Sequence, residues 1–394
     1  MPSPTRFWSE LKNSLQDRTN AGLFRNRRTW DHLSPRLVAD ERGQQLVNFG
    51  SNDYLSLSWY HPSSCTPSPC IDGSAANQAT REGAGASPLI TGSTREHEEL
   101  AKEIARFEHE EGAILFSSGF AANVGVVSSV AGSDDIIFSD RLNHASLIDG
   151  CRLSRAKTIV YPHNDLEALQ KLLKQHRHEG RRAFVVTDSL FSMDGDRPDL
   201  IELRRLLDEY DMIGVLDEAH ATGVYGVRGT GLVEHYNAES DRWIRTGTLS
   251  KAVGSVGGFV AGPKTLIDWL TNFARSYIYS TAAPASQLRR TLAAIRKLET
   301  MSVERDSLRK NAINLRESLR ELGLCVGGAD SPIVAIYATS VGEVMAWSHR
   351  LRERGILVPA IRPPTVPDDG CLLRISMNTS HTSDDLTSLV DAFR

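Results

Sequence analysis

Cysteine is scarce in this 394-residue chain, and the five present (Cys65, Cys70, Cys151, Cys325 and Cys371) are scattered. None forms a Cys-x-x-Cys pair or has a histidine at ligand spacing, so neither a disulfide framework nor a metal site is expected. Long apolar runs are missing too. No uncharged stretch approaches the roughly 18 residues of a membrane span, and Met1 to Gln16 lacks the continuous apolar segment of a secretory leader. Neither sign of charge dominates: 45 Lys and Arg against 49 Asp and Glu leave a formal net charge of −4, which gives no global attraction to nucleic acid or to an anionic membrane. A cytoplasmic enzyme is the expectation.

Hydrophobic residues at 40% and charged residues at 24% match an ordinary globular protein, and the length favours a large domain plus a smaller one. Over residues 3–30, Phe7, Leu11, Leu15 and Leu23 recur at helical spacing, predicting an amphipathic helix packed on the body and closed by Arg25, Arg27 and Arg28. Residues 59–75 are rich in Pro, Ser and Cys, with Pro62, Pro67 and Pro69 denying them regular helix, so an irregular surface excursion is expected. Then the pattern alternates. Leu100, Ile104 and Phe107 mark a helix face, and short apolar runs at 113–116, 136–138, 158–161, 183–186, 212–216, 243–246 and 258–261 read as strands between helical patterns such as 166–173 and 200–207. This is the α/β class, with a mainly parallel sheet flanked by helices. A helical stretch over 285–322 leads to a smaller α+β carboxy-terminal domain, so the expected division is 1–50, 51–285 and 286–394.

The chemistry concentrates at strand ends. Asp217-Glu218-Ala219-His220 follows the run 212–216, and Gly247-Thr248-Leu249-Ser250-Lys251 follows the run 243–246. Open α/β sheets place ligands at such ends. A carboxylate there can keep a pyridinium nitrogen protonated, and a lysine there can condense with an aldehyde, which together describe a site for pyridoxal 5′-phosphate (PLP). Taken alone, Asp217 is a helix cap and Lys251 a solvated charge; the pairing, His220 close by, and the small residues Gly254, Ser255, Gly257 and Gly258 argue for a tight cofactor pocket. The run 117–123 turns a strand into a helix through Ser118 and Gly119, which suits a phosphate, and Thr248 and Ser250 can add hydroxyl donors to the same anion. His144 is either a group stacked on the cofactor ring or a satisfied core histidine. Ser189 stands where it can touch the ring oxygen beside His220, while Asp194 and Asp196 read as turn formers before Pro198. Arg362 opens a run in which Pro363 and Pro364 hold the backbone extended. Arg374 lies in a strand-like run where a buried cation needs an anion, so each arginine either clamps a substrate carboxylate or forms a salt bridge.

These motifs, in this order and over nearly the whole chain, resemble the α-oxoamine synthases. These are PLP enzymes of fold type I, the aspartate aminotransferase-like fold, which join an amino acid to an acyl thioester with loss of carbon dioxide. The resemblance rests on Ser51-Asn52-Asp53-Tyr54-Leu55, the run 118–123, His144-Ala145-Ser146, the run 191–196, Asp217-Glu218-Ala219-His220, Lys251 and Tyr279-Ser280-Thr281. Within the family, residues 360–367 are most similar to members that condense L-alanine with a pimeloyl thioester, carried on coenzyme A or on acyl carrier protein. The resemblance implies that Lys251 is the Schiff-base lysine, Asp217 the pyridinium partner, His220 and Ser189 the contacts to the ring hydroxyl, and His144 the stacking group that also meets substrate. It implies Gly119, Phe120 and Thr248 in the cofactor cradle, and Arg25, Asn52, Arg362, Thr365 and Arg374 on the substrate. It further implies a homodimer in which Ser280 or Thr281 reaches the phosphate held by the neighbouring subunit. Two departures stand out: Asp188 occupies a position where relatives commonly carry Glu, and the segment 59–75 replaces a more regular helix.

Overall fold

Seven short apolar runs become one sheet in the computed structural model, which describes residues 4–62, 83–367 and 370–394. The strands are β1 (Gly112–Phe116), β2 (Ile136–Asp140), β3 (Lys157–Tyr161), β4 (Ala183–Asp188), β5 (Ile213–Asp217), β6 (Trp243–Thr248) and β7 (Gly258–Gly262). Their spatial order is β1-β7-β6-β5-β4-β2-β3. Strands β2 to β6 run parallel, and only β7 pairs antiparallel with its neighbours β1 and β6. The central strands are buried on both faces, so they read as continuous apolar runs rather than alternating ones. Polar residues enter at the carboxyl ends: Asp140 closes β2, Asp188 closes β4, Asp217 closes β5 and Thr248 closes β6.

The helices Gly119–Val130 and Ala145–Ser154 cover one face of this sheet. Val126, Val127 and Leu147 pack there against Ile137, Phe184, Val186 and Val215, each such side chain contributing about 1.5–3 kcal/mol on full burial. Ser118 starts the first helix by accepting the Ala121 N–H through its Oγ at 3.0 Å.

The chain divides into two compact units, one of residues 52–192 and 196–309, the other of residues 1–51, 193–195 and 310–394. The helix Ala285–Glu299 therefore goes with the larger unit and the division falls inside the helix Ser302–Glu321, later than the expected 285/286. The reason is packing. Leu288, Ala294, Ile295 and Leu298 are buried, and Arg289 and Arg296 pair with Glu96 and Glu103 of the helix Arg95–Glu108. The smaller unit holds an antiparallel sheet of Ile333–Tyr337, Leu372–Ser376 and Ala360–Ile361, and a second sheet built from Asp31–Ser34, Leu37–Ala39, Gln45–Asn48 and Ile356–Leu357.

Three expectations need comment. The amino-terminal helix forms, over Pro4–Asn20, but its apolar stripe is not packed on the body: Phe7 is 50% exposed, Trp8 65% and Leu15 50%. The backbone at Pro363 and Pro364 is a turn closed by the Thr365 N–H on the Arg362 carbonyl at 3.2 Å, rather than an extended run. From residue 63 onward the Pro/Ser/Cys segment, with Cys65 and Cys70, lies outside the described residues. No described helix is long and apolar enough to cross a membrane. Among the described residues no cluster of three or more His, Cys, Asp or Glu could hold a metal ion.

Candidate active site

The carboxyl ends of β4, β5 and β6 bring together most of the residues singled out in the larger unit. Asp217 and Asp188 are register partners on adjacent strands, and Asp217 also faces Thr246 of β6. Asp217 is buried, with Oδ2 accepting the Asn123 amide at 2.6 Å and Oδ1 accepting the Ala219 N–H at 2.8 Å. Two donors, one on each oxygen, fix the orientation of this carboxylate. Asp188 is a different case. Burial first, and then the charge of Asp217, push its pKa well above the usual carboxylate range. Its Oδ2 accepts the His144 backbone N–H at 2.8 Å, which fixes the start of the helix Ala145–Ser154.

His144 caps that helix with its own ring, its Nδ1 lying 2.6 Å from Ser146 Oγ and 3.3 Å from the Ser146 N–H. His144 as a whole residue is exposed, as a stacking group requires. Desolvation of the imidazole holds its pKa below the ordinary histidine value; Asp217 opposes that shift and Lys251 adds to it. Phe120 meets His144 edge-on, with ring centroids 6.2 Å apart.

Ser189 is fully buried, and its hydroxyl donates to Glu218 Oε2 at 2.7 Å. Glu218 also accepts the N–H groups of Leu232 (3.1 Å) and Val233 (3.0 Å). Burial raises the Glu218 pKa while these donors oppose the rise. His220 is buried, with Nδ1 2.7 Å from the Tyr54 hydroxyl, and that hydroxyl lies 3.4 Å from Asn52 Oδ1. Asn52 and His220 are thus joined through Tyr54.

Lys251 lies in the turn that connects β6 to β7. The turn closes through the Gly254 N–H on the Lys251 carbonyl at 2.8 Å, and Gly254 has φ +66°, with space for a Cβ blocked by the backbone of Leu57 and Ser58. Thr248 Oγ1 lies 2.8 Å from Ser250 Oγ and donates to the Gly257 carbonyl at 3.1 Å. Across from Thr248 begins the helix Gly119–Val130, where a Cβ on Gly119 would sit 3.1 Å from the Thr248 side chain. Glycine lets Thr248 approach the helix start this closely, and the free N–H groups of a helix start are where anions bind. Thr281 is exposed, just beyond Ser280, whose hydroxyl is bonded to the Ser276 carbonyl at 2.7 Å.

In the smaller unit Arg25, Arg362 and Thr365 come together. Arg25 donates to Thr365 Oγ1 at 2.6 Å, and Arg362 donates to the carbonyls of Gly22 (3.0 Å) and Phe24 (2.9 Å). Arg362 thus anchors the segment after the first helix instead of forming the salt bridge that was its alternative. A cavity of about 650 Å³ is lined by Arg25, Arg28, Arg362, Phe24, Trp30 and Val358. Arg374 is buried in Leu372–Ser376 and donates to Ser376 Oγ.

Sequence reading named neither Asn123, Ser146, Thr246, Tyr54 nor Glu218 as functional, although four of them lie in motifs it quoted. For Thr246 a signal existed: Thr246 and Thr248 share one face of a strand, and buried polar side chains require partners.

Comparison with known proteins agrees with this arrangement. The family Aminotransferase class I and II matches residues 44–393. An 8-amino-7-oxononanoate synthase from Thermoanaerobacter pseudethanolicus is 38% identical over 97% of this chain and 95% of its own length. One from Geotalea daltonii is 39% identical over 96% of this chain and 95% of its own. This chain belongs to the 8-amino-7-oxononanoate synthase family of class I and II aminotransferases. A serine palmitoyltransferase from S. paucimobilis, solved with a PLP–myriocin adduct bound, superposes with a TM-score of 0.87 at 28% identity, covering 100% of this chain and 98% of that one. Family membership agrees with the fold type expected from the motifs.

The residues present fit PLP. A carboxylate with two fixed donors suits a pyridinium, an exposed histidine suits a ring face, and a helix start packed closely on Thr248, beside Ser250, suits a phosphate.

Proposed function

We propose that the chain catalyses the decarboxylative condensation of L-alanine with a pimeloyl thioester, giving 8-amino-7-oxononanoate, carbon dioxide and the free thiol carrier, a step of biotin biosynthesis and the reaction for which its relatives are named. The observation that carries this reading is near full-length likeness to 8-amino-7-oxononanoate synthases in a chain that keeps Asp217, His220 and Lys251 together. PLP, when bound, supplies an electron sink for the negative charge left at the amino acid's α-carbon. The protein's part is to hold and aim. Lys251 supplies the amine that fastens the cofactor and, once released, takes the α-proton. The α-carbon then forms its bond to the thioester carbonyl as the thiolate leaves; the alanine carboxyl departs as carbon dioxide, and a proton returns to the same carbon.

Asp217, oriented by Asn123 and Ala219, would pair with a protonated ring nitrogen of the cofactor. His220 and Ser189 would serve the ring hydroxyl, His144 would cover the ring, and Gly119, Phe120, Thr248 and Ser250 would receive the phosphate, with Thr281 serving the second subunit of a cytoplasmic homodimer. Asn52, Arg25, Arg362, Thr365 and Arg374 are assigned to substrate, the arginine-lined cavity matching the terminal carboxylate of a pimeloyl group.

The test is the mass of the product formed from alanine with pimeloyl-CoA and, separately, with pimeloyl-acyl carrier protein. Glycine with acetyl-CoA and serine with palmitoyl-CoA provide the competing arms, and faster turnover in either would replace the proposed substrates. Lys251→Ala is expected to abolish turnover and the borohydride-trapped adduct; a variant that kept both would overturn the assignment of the lysine.

A further inference from the structure

Asn123 joins two groups that the proposed reaction uses separately. Its Nδ2 donates to Asp217 Oδ2 at 2.6 Å and to Ser146 Oγ at 2.9 Å, while its Oδ1 accepts the Thr246 hydroxyl at 2.6 Å. Reversing this amide would press a carbonyl oxygen against the Asp217 carboxylate, so electrostatics fix its orientation. Ser146 Oγ, already accepting from Asn123, has one proton to give, and the atom 2.6 Å away is His144 Nδ1. The Ser146 backbone N–H points to that same nitrogen at 3.3 Å. A nitrogen that accepts from two donors carries no proton of its own, which leaves the ring proton of a neutral His144 on Nε2. Asn123, Ser146 and Thr246 are all buried, so water does not compete for these bonds.

We infer that Asn123 and Ser146 are positioning residues that lock His144 as its Nε2–H tautomer, and that the fixed charge of Asp217 sets the whole relay by orienting the Asn123 amide. The inference deepens the proposed reaction and rests on it for its catalytic meaning. An Nε2–H held this way donates a hydrogen bond but does not abstract a proton at that atom. Proton removal at the α-carbon is thereby left to Lys251.

The experiment is two-bond ¹⁵N–¹H correlation NMR on histidine-labelled protein, recorded with and without PLP, with His144 assigned by the missing signal in His144→Gln. At neutral pH the wild-type protein is expected to show an unprotonated Nδ1 and a protonated Nε2. Ser146→Ala removes the hydroxyl donor and is expected to give a tautomer mixture and a higher titration midpoint for His144, with Asp217, Asp188 and Lys251 still acting on the ring. Ser146→Thr restores the single tautomer, and Asn123→Ala frees the Ser146 hydroxyl and mixes it. A wild-type Nδ1–H, or a Ser146→Ala spectrum and midpoint equal to wild type, would overturn the relay. Since the tautomer is read in cofactor-free protein, that outcome is separate from whether alanine and pimeloyl thioester prove to be the substrates.

Discussion

Replacing Gly258 with alanine tests the phosphate cradle at its tightest point. The added Cβ would lie 2.5 Å from the Ser118 carbonyl oxygen and 2.6 Å from the Gly119 nitrogen. Ordinary contact begins at 3.4 Å, so β7 and the start of the helix Gly119–Val130 must part by about 0.9 Å. Both clashing atoms belong to the backbone, so no rotamer relieves the strain, and overpacking of this kind costs about 1–3 kcal/mol. The same shift withdraws the helix-start N–H groups from the anion they would bind. Losing one hydrogen bond to a charged group is worth about 1.5–3 kcal/mol, or about ten- to hundredfold in PLP affinity. The assay is absorbance titration of the cofactor-free protein with PLP, beside calorimetric melting. Gly119→Ala serves as the graded control, because its Cβ meets only the Thr248 side chain, at 3.1 Å, and needs far less movement. If Gly258→Ala folds and binds PLP as tightly as wild type, or if Gly119→Ala proves the more damaging to melting, the cradle geometry argued above is wrong.

Other predictions concern two buried histidines that the proposed reaction does not use, and the backbone anchor made by Arg362. His163 lies between Asp140 (2.9 Å) and Asp196 (2.9 Å); burial alone would lower its pKa, but the two carboxylates hold it up at about 9. A raised histidine stabilises fully below the unfolded value near 6.5 and loses that stabilisation as pH rises through about 9, a swing of about 3 kcal/mol. Asp196→Asn should therefore lower Tm at pH 7 and lose most of that effect by pH 10; an equal deficit at both values would refute the imidazolium. His381, stacked on Phe49 with centroids 4.2 Å apart, is pushed by burial down to about 4. Its stabilisation is present above the unfolded value near 6.5 and falls away between there and pH 4, so urea melts across that window should flatten in His381→Gln. Arg362→Lys cannot span the carbonyls of both Gly22 and Phe24 as a guanidinium fork does, so limited proteolysis near those residues should quicken, and an unchanged digestion pattern would argue against the anchor.

Much of the sheet was legible in the chain because its strands are buried on both faces and leave uninterrupted apolar runs. Asp217 and Lys251 were legible only as a pair, since each alone reads as a helix cap or a solvated charge, and it is their joint placement after two apolar runs that points to a cofactor. What stayed hidden is the wiring between elements. Asn123 looked like one residue of a turn-to-helix motif, and only three-dimensional adjacency shows its amide spanning Asp217 and Ser146. Asp196 read as a turn former, yet it partners His163, from which it is separated by β4. The apolar stripe of the first helix predicted the helix but not its burial, since periodicity reports amphipathicity and not what covers the face.

Glu218 shows how such wiring constrains the history of a sequence. Its carboxylate ties Ser189 to the amides of Leu232 and Val233, groups drawn from well-separated stretches of chain. Drift at Ser189 would strand part of a buried acid, and drift at Glu218 would strand two amides, each at about 1–3 kcal/mol. These positions can change only in concert, so variation should spread around this knot and leave its strands alone.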